Sequence, residues 1–196
     1  MESNNFNICT HDYVIKSLTY KEQFLNYYNS NKIVCINENL TYNFMKNKKI
    51  LIISSFGKLM KEQYDSGNVF KFNPAFPNIE SITYYTSPYT FFNSGPDENS
   101  IETCEKIYNE IINISNFNEI DSIIISFGSY SNILSLYFEK NYNKDILTIG
   151  RLLASIFGII THTAPIPEKY TEYYITKIPD EYKPDNYDKI ENGCYW

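Results

Sequence analysis

Four times along the chain, a short apolar run ends at serine, threonine or glycine and gives way to residues with helical spacing. Residues 49–55 read KILIISS, a fully apolar run behind a charged lead, the pattern of a strand buried on both faces. KLMKEQY follows, with Leu59, Met60 and Tyr64 on one helical face. A second strand is expected around Ser81 to Tyr85, led in by Pro74 and Pro77. After a turn-rich loop, Asn99 caps the next helix, and Glu102 completes a capping box. That helix presents Ile101, Ile107, Tyr108, Ile111, Ile112 and Ile114, and is expected to end near Asn116. The third unit is DSIIISFG followed by SYSNILSLYFEKNY, and the fourth is DILTIG followed by RLLASIFG.

Strands alternating with helices of this length imply a parallel sheet with right-handed crossovers. The expected class is α/β: a single Rossmann-like three-layer sandwich with a parallel sheet of four to five strands and an extended C-terminal tail. The fifth strand would come from residues 33–36, and a helical pattern covers residues 20–28. The domain is placed at residues 1–163, of which 1–48 form a divergent N-terminal extension. Residues 164–196 are broken by Pro165, Pro167, Pro179 and Pro184, and are expected to lie back across the domain.

Such sheets bind ligands outside the carboxyl ends of their strands. Those ends fall at residues 54–57, 85–88, 126–130 and 149–151. Ser54 and Ser55 follow the first strand, and Gly57 relaxes its turn. Gly128, Ser129 and Tyr130 offer backbone N–H groups, a hydroxyl and a phenol at the third; they either contact a ligand or form a tight turn in which Ser129 or Ser131 caps the helix. Gly150 is followed by Arg151, the one arginine in the chain, whose guanidinium suits a carboxylate or phosphate. Tyr195 and Trp196 either stack on a ligand ring or plug an apolar groove. Asp121 and Asp145 precede their strands, at the wrong end for catalysis. His162 reads as a base or as a structural histidine. Glu172 and Glu191 reach the sheet edge if the tail folds back.

Composition narrows the chemistry. Tyr and Phe are abundant, with 19 and 13 copies, and Lys stands almost everywhere in place of Arg. The formal net charge is −6 and no basic stripe is present, which argues against nucleic-acid binding. The cysteines are Cys9, Cys35, Cys104 and Cys194, without a C-x-x-C pair, and the histidines are His11 and His162, so no metal site is expected. Scattered thiols without a signal peptide imply a reduced, cytoplasmic setting. No apolar run reaches membrane-spanning length. A dinucleotide fingerprint and a nucleophile elbow are both absent, and no cofactor is indicated.

Three segments carry a family resemblance: ILIISSFGKLMKEQY, FGSYSNILSLYFEKNYNKDILTIGRLLASIFGI and the terminal IENGCYW. Together they resemble a group of largely uncharacterised proteins from bacterial and giant-virus glycan-biosynthesis genes, described as glycosyltransferases of the GT-D type with a Rossmann-like core. The resemblance covers residues 49–196. It rests on Ser55-Phe56 and Gln63-Tyr64, on the turn Gly128-Ser129-Tyr130-Ser131, on Ile149-Gly150-Arg151 with Phe157-Gly158-Ile159, and on Gly193 to Trp196. Relative to that pattern, Arg151 and Ser131 each replace a glycine, the N-terminal part is shortened, and the acidic Asp-x-Glu metal motif is missing. The resemblance implies a glycosyltransferase-like protein that binds a nucleotide-sugar or glycan precursor at the sheet edge, metal-independently, with Arg151 on the diphosphate. The alternative is a degenerate, non-catalytic domain that acts as a protein-interaction partner in glycan biosynthesis.

Overall fold

A computed structural model describes residues 38–90, 95–160, 172–193 and 196. The expectations for residues 20–28 and 33–36 lie outside the described residues. The chain order is α1 (Glu38–Met45), β1 (Lys49–Ser54), α2 (Gly57–Asp65), α3 (Asn68–Phe72), β2 (Ser81–Tyr85), α4 (Ser100–Ile112), β3 (Ser122–Ser126), α5 (Tyr130–Asn141), β4 (Asp145–Thr148) and α6 (Leu152–Ile156). Short 3₁₀ turns follow at Asp180–Tyr182, Tyr187–Lys189 and Glu191–Gly193.

The strands form one parallel sheet in the order β2-β1-β3-β4, and the fold is the expected α/β sandwich. Ile50, Leu51, Ile52 and Ile53 of β1 and Ile123, Ile124 and Ile125 of β3 are fully buried, because both central strands are covered on both faces. Burying each such side chain is worth about 1.5–3 kcal/mol. Alternation sends Leu51, Ile53, Ile123 and Ile125 to one face, where Cys104, Ile107 and Ile111 of α4 and Leu134 and Phe138 of α5 meet them. Ile50, Ile52 and Ile124 point to the other face. The chain runs from β1 to β2 in one direction and from β2 to β3 in the other, so right-handed crossovers put α2 on that second face.

Several local expectations change. α4 ends at Ile112, before Asn116, and Ile101 is exposed at its first turn. Asn99 does cap α4, its side chain accepting from the N–H groups of Ile101 and Glu102. Glu102, however, turns outward to Lys106 at 3.1 Å, so only half of the capping box forms. The leucine-rich segment after Gly150 makes only five helical residues, because Gly158 takes a left-handed φ of 75° and turns the chain.

Residues near the end of the chain pack on the sheet domain. Ile159 pairs with Ile175, the Ile160 N–H donating to the Ile175 carbonyl at 2.9 Å and the Ile175 N–H to the Gly158 carbonyl at 2.8 Å. Ile178, Tyr182, Ile190 and Trp196 are buried. Gln63 holds this arrangement from inside: its amide donates to the carbonyls of Phe157 at 3.2 Å and Tyr173 at 2.9 Å, while its oxygen accepts from Asn68 at 2.9 Å. Among the described residues, no helix is long and apolar enough to cross a membrane.

Candidate functional site

β1 and β3 lie side by side, yet their onward connections leave in opposite directions. Open α/β sheets bind ligands at this switch point, outside the strand carboxyl ends. The last rung there pairs Ser54 with Ser126. Both residues are out of phase with the Leu51 and Ile53 cluster, so both hydroxyls face the side of α2. A cleft of about 100 Å³ opens over this rung. Ser54, Ala154 and Ile159 form its buried floor; Ser55, Phe56 and Ser126 stand partly exposed around it; Arg151 and Ser155 form its exposed rim.

The hydroxyls are already engaged in defined ways. Ser54 Oγ accepts from the Phe56 N–H at 3.2 Å. Ser55 Oγ donates to the Ser87 carbonyl at 3.3 Å and lies 3.1 Å from the Ser87 hydroxyl. Ser126 Oγ donates to the Gly150 carbonyl at 3.4 Å, and Ser155 Oγ to the Arg151 carbonyl at 3.5 Å. Among the described residues, Arg151 is the only charged one in the lining.

Of the residues singled out in the sequence, Ser54, Ser55 and Arg151 come together in this cleft. Gly57 does not line it. It opens α2 against β2, where an added Cβ would sit 3.1 Å from that of Tyr84, a packing reason for glycine. Gly128 takes a left-handed φ of 51° in the turn after β3, Ser129 is exposed at the start of α5 without a side-chain cap, and the Tyr130 ring packs on Phe127 at 4.7 Å. These three belong to the turn into α5, which packs with α4 on the far face of the sheet. Ser131 is buried, and its hydroxyl accepts from the Phe127 N–H at 2.9 Å, so it closes the turn from within. Gly150 has no positive φ, and an added Cβ would meet nothing within 4 Å, so its backbone does not require glycine. Trp196 is buried edge-on against Tyr89 at 5.7 Å and Tyr187 at 6.2 Å, in the groove-filling role. Tyr195, His11, His162, Cys9, Cys35, Cys194 and the Glu191 side chain lie outside the described residues; Glu172 is exposed.

The sequence reading placed Phe56 and Ser126 at strand ends without naming them as ligand contacts, and it did not single out Ala154, Ser155 and Ile159 as such. Ser126 carries the same signal as Ser54, a serine closing an apolar strand. Ser155 sits one helical turn beyond Arg151. Ala154 and Ile159 carry no local signal; Ala154 reaches the cleft from α6, and Ile159 follows the turn at Gly158.

The amino edge of the sheet is built differently. Lys48 pairs with Asp145 at 2.6 Å, Lys49 with Glu119 at 3.1 Å, and the Asp121 carboxylate accepts from the Lys49 N–H at 2.8 Å. Asp121 and Asp145 thus tie strand starts together, away from the cleft. Among the described residues, no group of three or more His, Cys, Asp or Glu side chains is placed to hold a metal ion. Burial pushes the Cys104 thiol up to about 11, which keeps it protonated and unreactive near neutrality. No known protein family, curated protein or solved structure matches this chain.

Proposed function

We propose that the cleft at the β1–β3 switch point binds a nucleotide-sugar or related anionic glycan precursor, with Arg151 on its phosphate groups. The observation that supports this reading is the position of the one guanidinium of the chain, on the rim of the cleft where α/β sheets bind their ligands. A guanidinium fork matches phosphate oxygens in two parallel hydrogen bonds. In a transfer reaction it would stabilise the departing diphosphate and hold the donor in place. The resemblance to GT-D-type proteins supports the same ligand class. At about 100 Å³ the cleft is smaller than the roughly 300–1,000 Å³ of a site enclosing a whole ligand of that size, so the nucleoside would lie outside it.

Calorimetric titration of the full chain with UDP-glucose, GDP-mannose and their free nucleoside diphosphates tests this reading. Arg151→Ala should weaken binding roughly 10- to 150-fold, the loss of charged hydrogen bonds worth about 1.5–3 kcal/mol. Absence of binding across the panel, or equal binding by the variant, would sink the proposal.

A non-catalytic role as a protein partner is the second reading. It is favoured by the lining, which among the described residues includes no carboxylate or imidazole to act as general base. Donor binding with no release of nucleoside diphosphate, with or without sugar acceptors, would select it.

A further inference from the structure

A ligand with an anionic group and several hydroxyls has two ways to enter this cleft, and its apolar floor and charged rim discriminate between them. Resting on the ligand class proposed above, we infer that the neutral, hydroxyl-bearing sugar goes in first and that the anionic group stays outside, at Arg151. Ser126 and Ser155 lie 3.4 and 3.5 Å from the carbonyls of Gly150 and Arg151, contacts long enough for either hydroxyl to turn toward a ligand. Ser54, on the floor, accepts from the Phe56 N–H and keeps its proton available to a ligand.

An oxyanion offers acceptors only. Seated on the floor, it would rest on Ala154 and Ile159 with neutral hydroxyls and no guanidinium beside it, a poor exchange for bulk water. A sugar hydroxyl both donates and accepts. It can take the Ser54 proton and give its own to Ser126 or Ser155. The apolar floor of Ala154 and Ile159 suits the C–H face of a pyranose, and the small volume suits one ring or part of it. Arg151, exposed on the rim, is then correctly placed for a phosphate attached to that ring. The substrate class is thus a sugar phosphate or a sugar diphosphate ester, bound sugar-inward, with discrimination among sugars made by serines.

The test is a pair of titrations with glucose 1-phosphate and inorganic pyrophosphate, on the wild type, Ser54→Ala, Ser155→Ala and Arg151→Ala. Circular dichroism checks that each variant is folded; Ser155 is exposed, so its variant serves where removal of the buried Ser54 hydroxyl disturbs folding. The wild type should bind glucose 1-phosphate more tightly than pyrophosphate. Ser54→Ala and Ser155→Ala should each weaken glucose 1-phosphate by roughly fivefold, about one hydrogen bond, and leave pyrophosphate unchanged. Arg151→Ala should weaken both. If pyrophosphate binds as well as the sugar phosphate and loses as much in the serine variants, the anion sits on the floor and the orientation is wrong, although the ligand class stands. If neither probe nor any nucleotide-sugar binds the wild type, the ligand class itself fails, and the orientation with it.

Discussion

Two glycines eight residues apart make opposite demands, and exchanging each for alanine gives a sharp test of the packing. Gly158 has φ 75°, and an added Cβ would lie 2.5 and 2.7 Å from ring atoms of Phe72 and 3.0 Å from the Gln63 amide. The left-handed conformation costs a non-glycine residue about 1–2 kcal/mol. The clash must push Phe72 off Tyr174, on which it stacks at 4.3 Å, or displace Gln63; such overpacking costs about 1–3 kcal/mol. Gly158→Ala should therefore destabilise the protein by about 2–5 kcal/mol. Gly150 has neither a positive φ nor a neighbour within 4 Å of its would-be Cβ. Gly150→Ala should leave stability within about 0.5 kcal/mol or raise it by up to ~1 kcal/mol, since alanine restricts the unfolded chain. Urea unfolding followed by Trp196 fluorescence measures both. With a slope of about 2 kcal/mol per molar, the Gly158 variant loses roughly 1–2.5 M in its midpoint. A Gly158→Ala midpoint equal to wild type, or a Gly150→Ala loss of the same size, would refute the assignment of strain to Gly158 alone.

Gln63→Leu should cost about 2–4 kcal/mol, because it strands the carbonyls of Phe157 and Tyr173 and the amide of Asn68 without their partner; limited proteolysis should then cut near Tyr173 sooner than in wild type. Cys104 should resist alkylation at pH 8 until the protein is unfolded, as read by peptide mass mapping. Its folded thiol titrates above the unfolded one, so its contribution to stability is present below about pH 9 and is lost as pH rises toward 11.

The sheet was legible in the sequence because each strand is an unbroken apolar run with a polar stop, and a strand buried on both faces leaves that mark. Helix lengths were less so. RLLASIFG has helical spacing, yet its helix stops after five residues because the packing of Phe72 and Gln63 requires the turn at Gly158. The candidate site was half legible. Strand-end serines and the lone arginine pointed to Ser54, Ser55 and Arg151. The same strand-end rule also picked Gly128, Ser129 and Tyr130, which form the turn into a helix on the other face of the sheet. The two turns look alike locally; which layer each enters is set by the direction of the crossover. Gln63, Tyr64 and Gly158, part of the family-like pattern, have packing duties here: Tyr64 OH bonds both the carbonyl and the N–H of Ile79, at 2.8 and 2.7 Å.

The cleft is finished by residues far along the chain from the strands that open it. Its floor residue Ile159 is held by Ile175, and its wall residue Phe56 packs against Tyr182, whose carbonyl accepts from the Tyr89 hydroxyl. During synthesis the central strands emerge well before Ile175 and Tyr182, so the sheet precedes the partners that complete the cleft walls. The long-range pairing also makes closure of the cleft a late and slow event in folding.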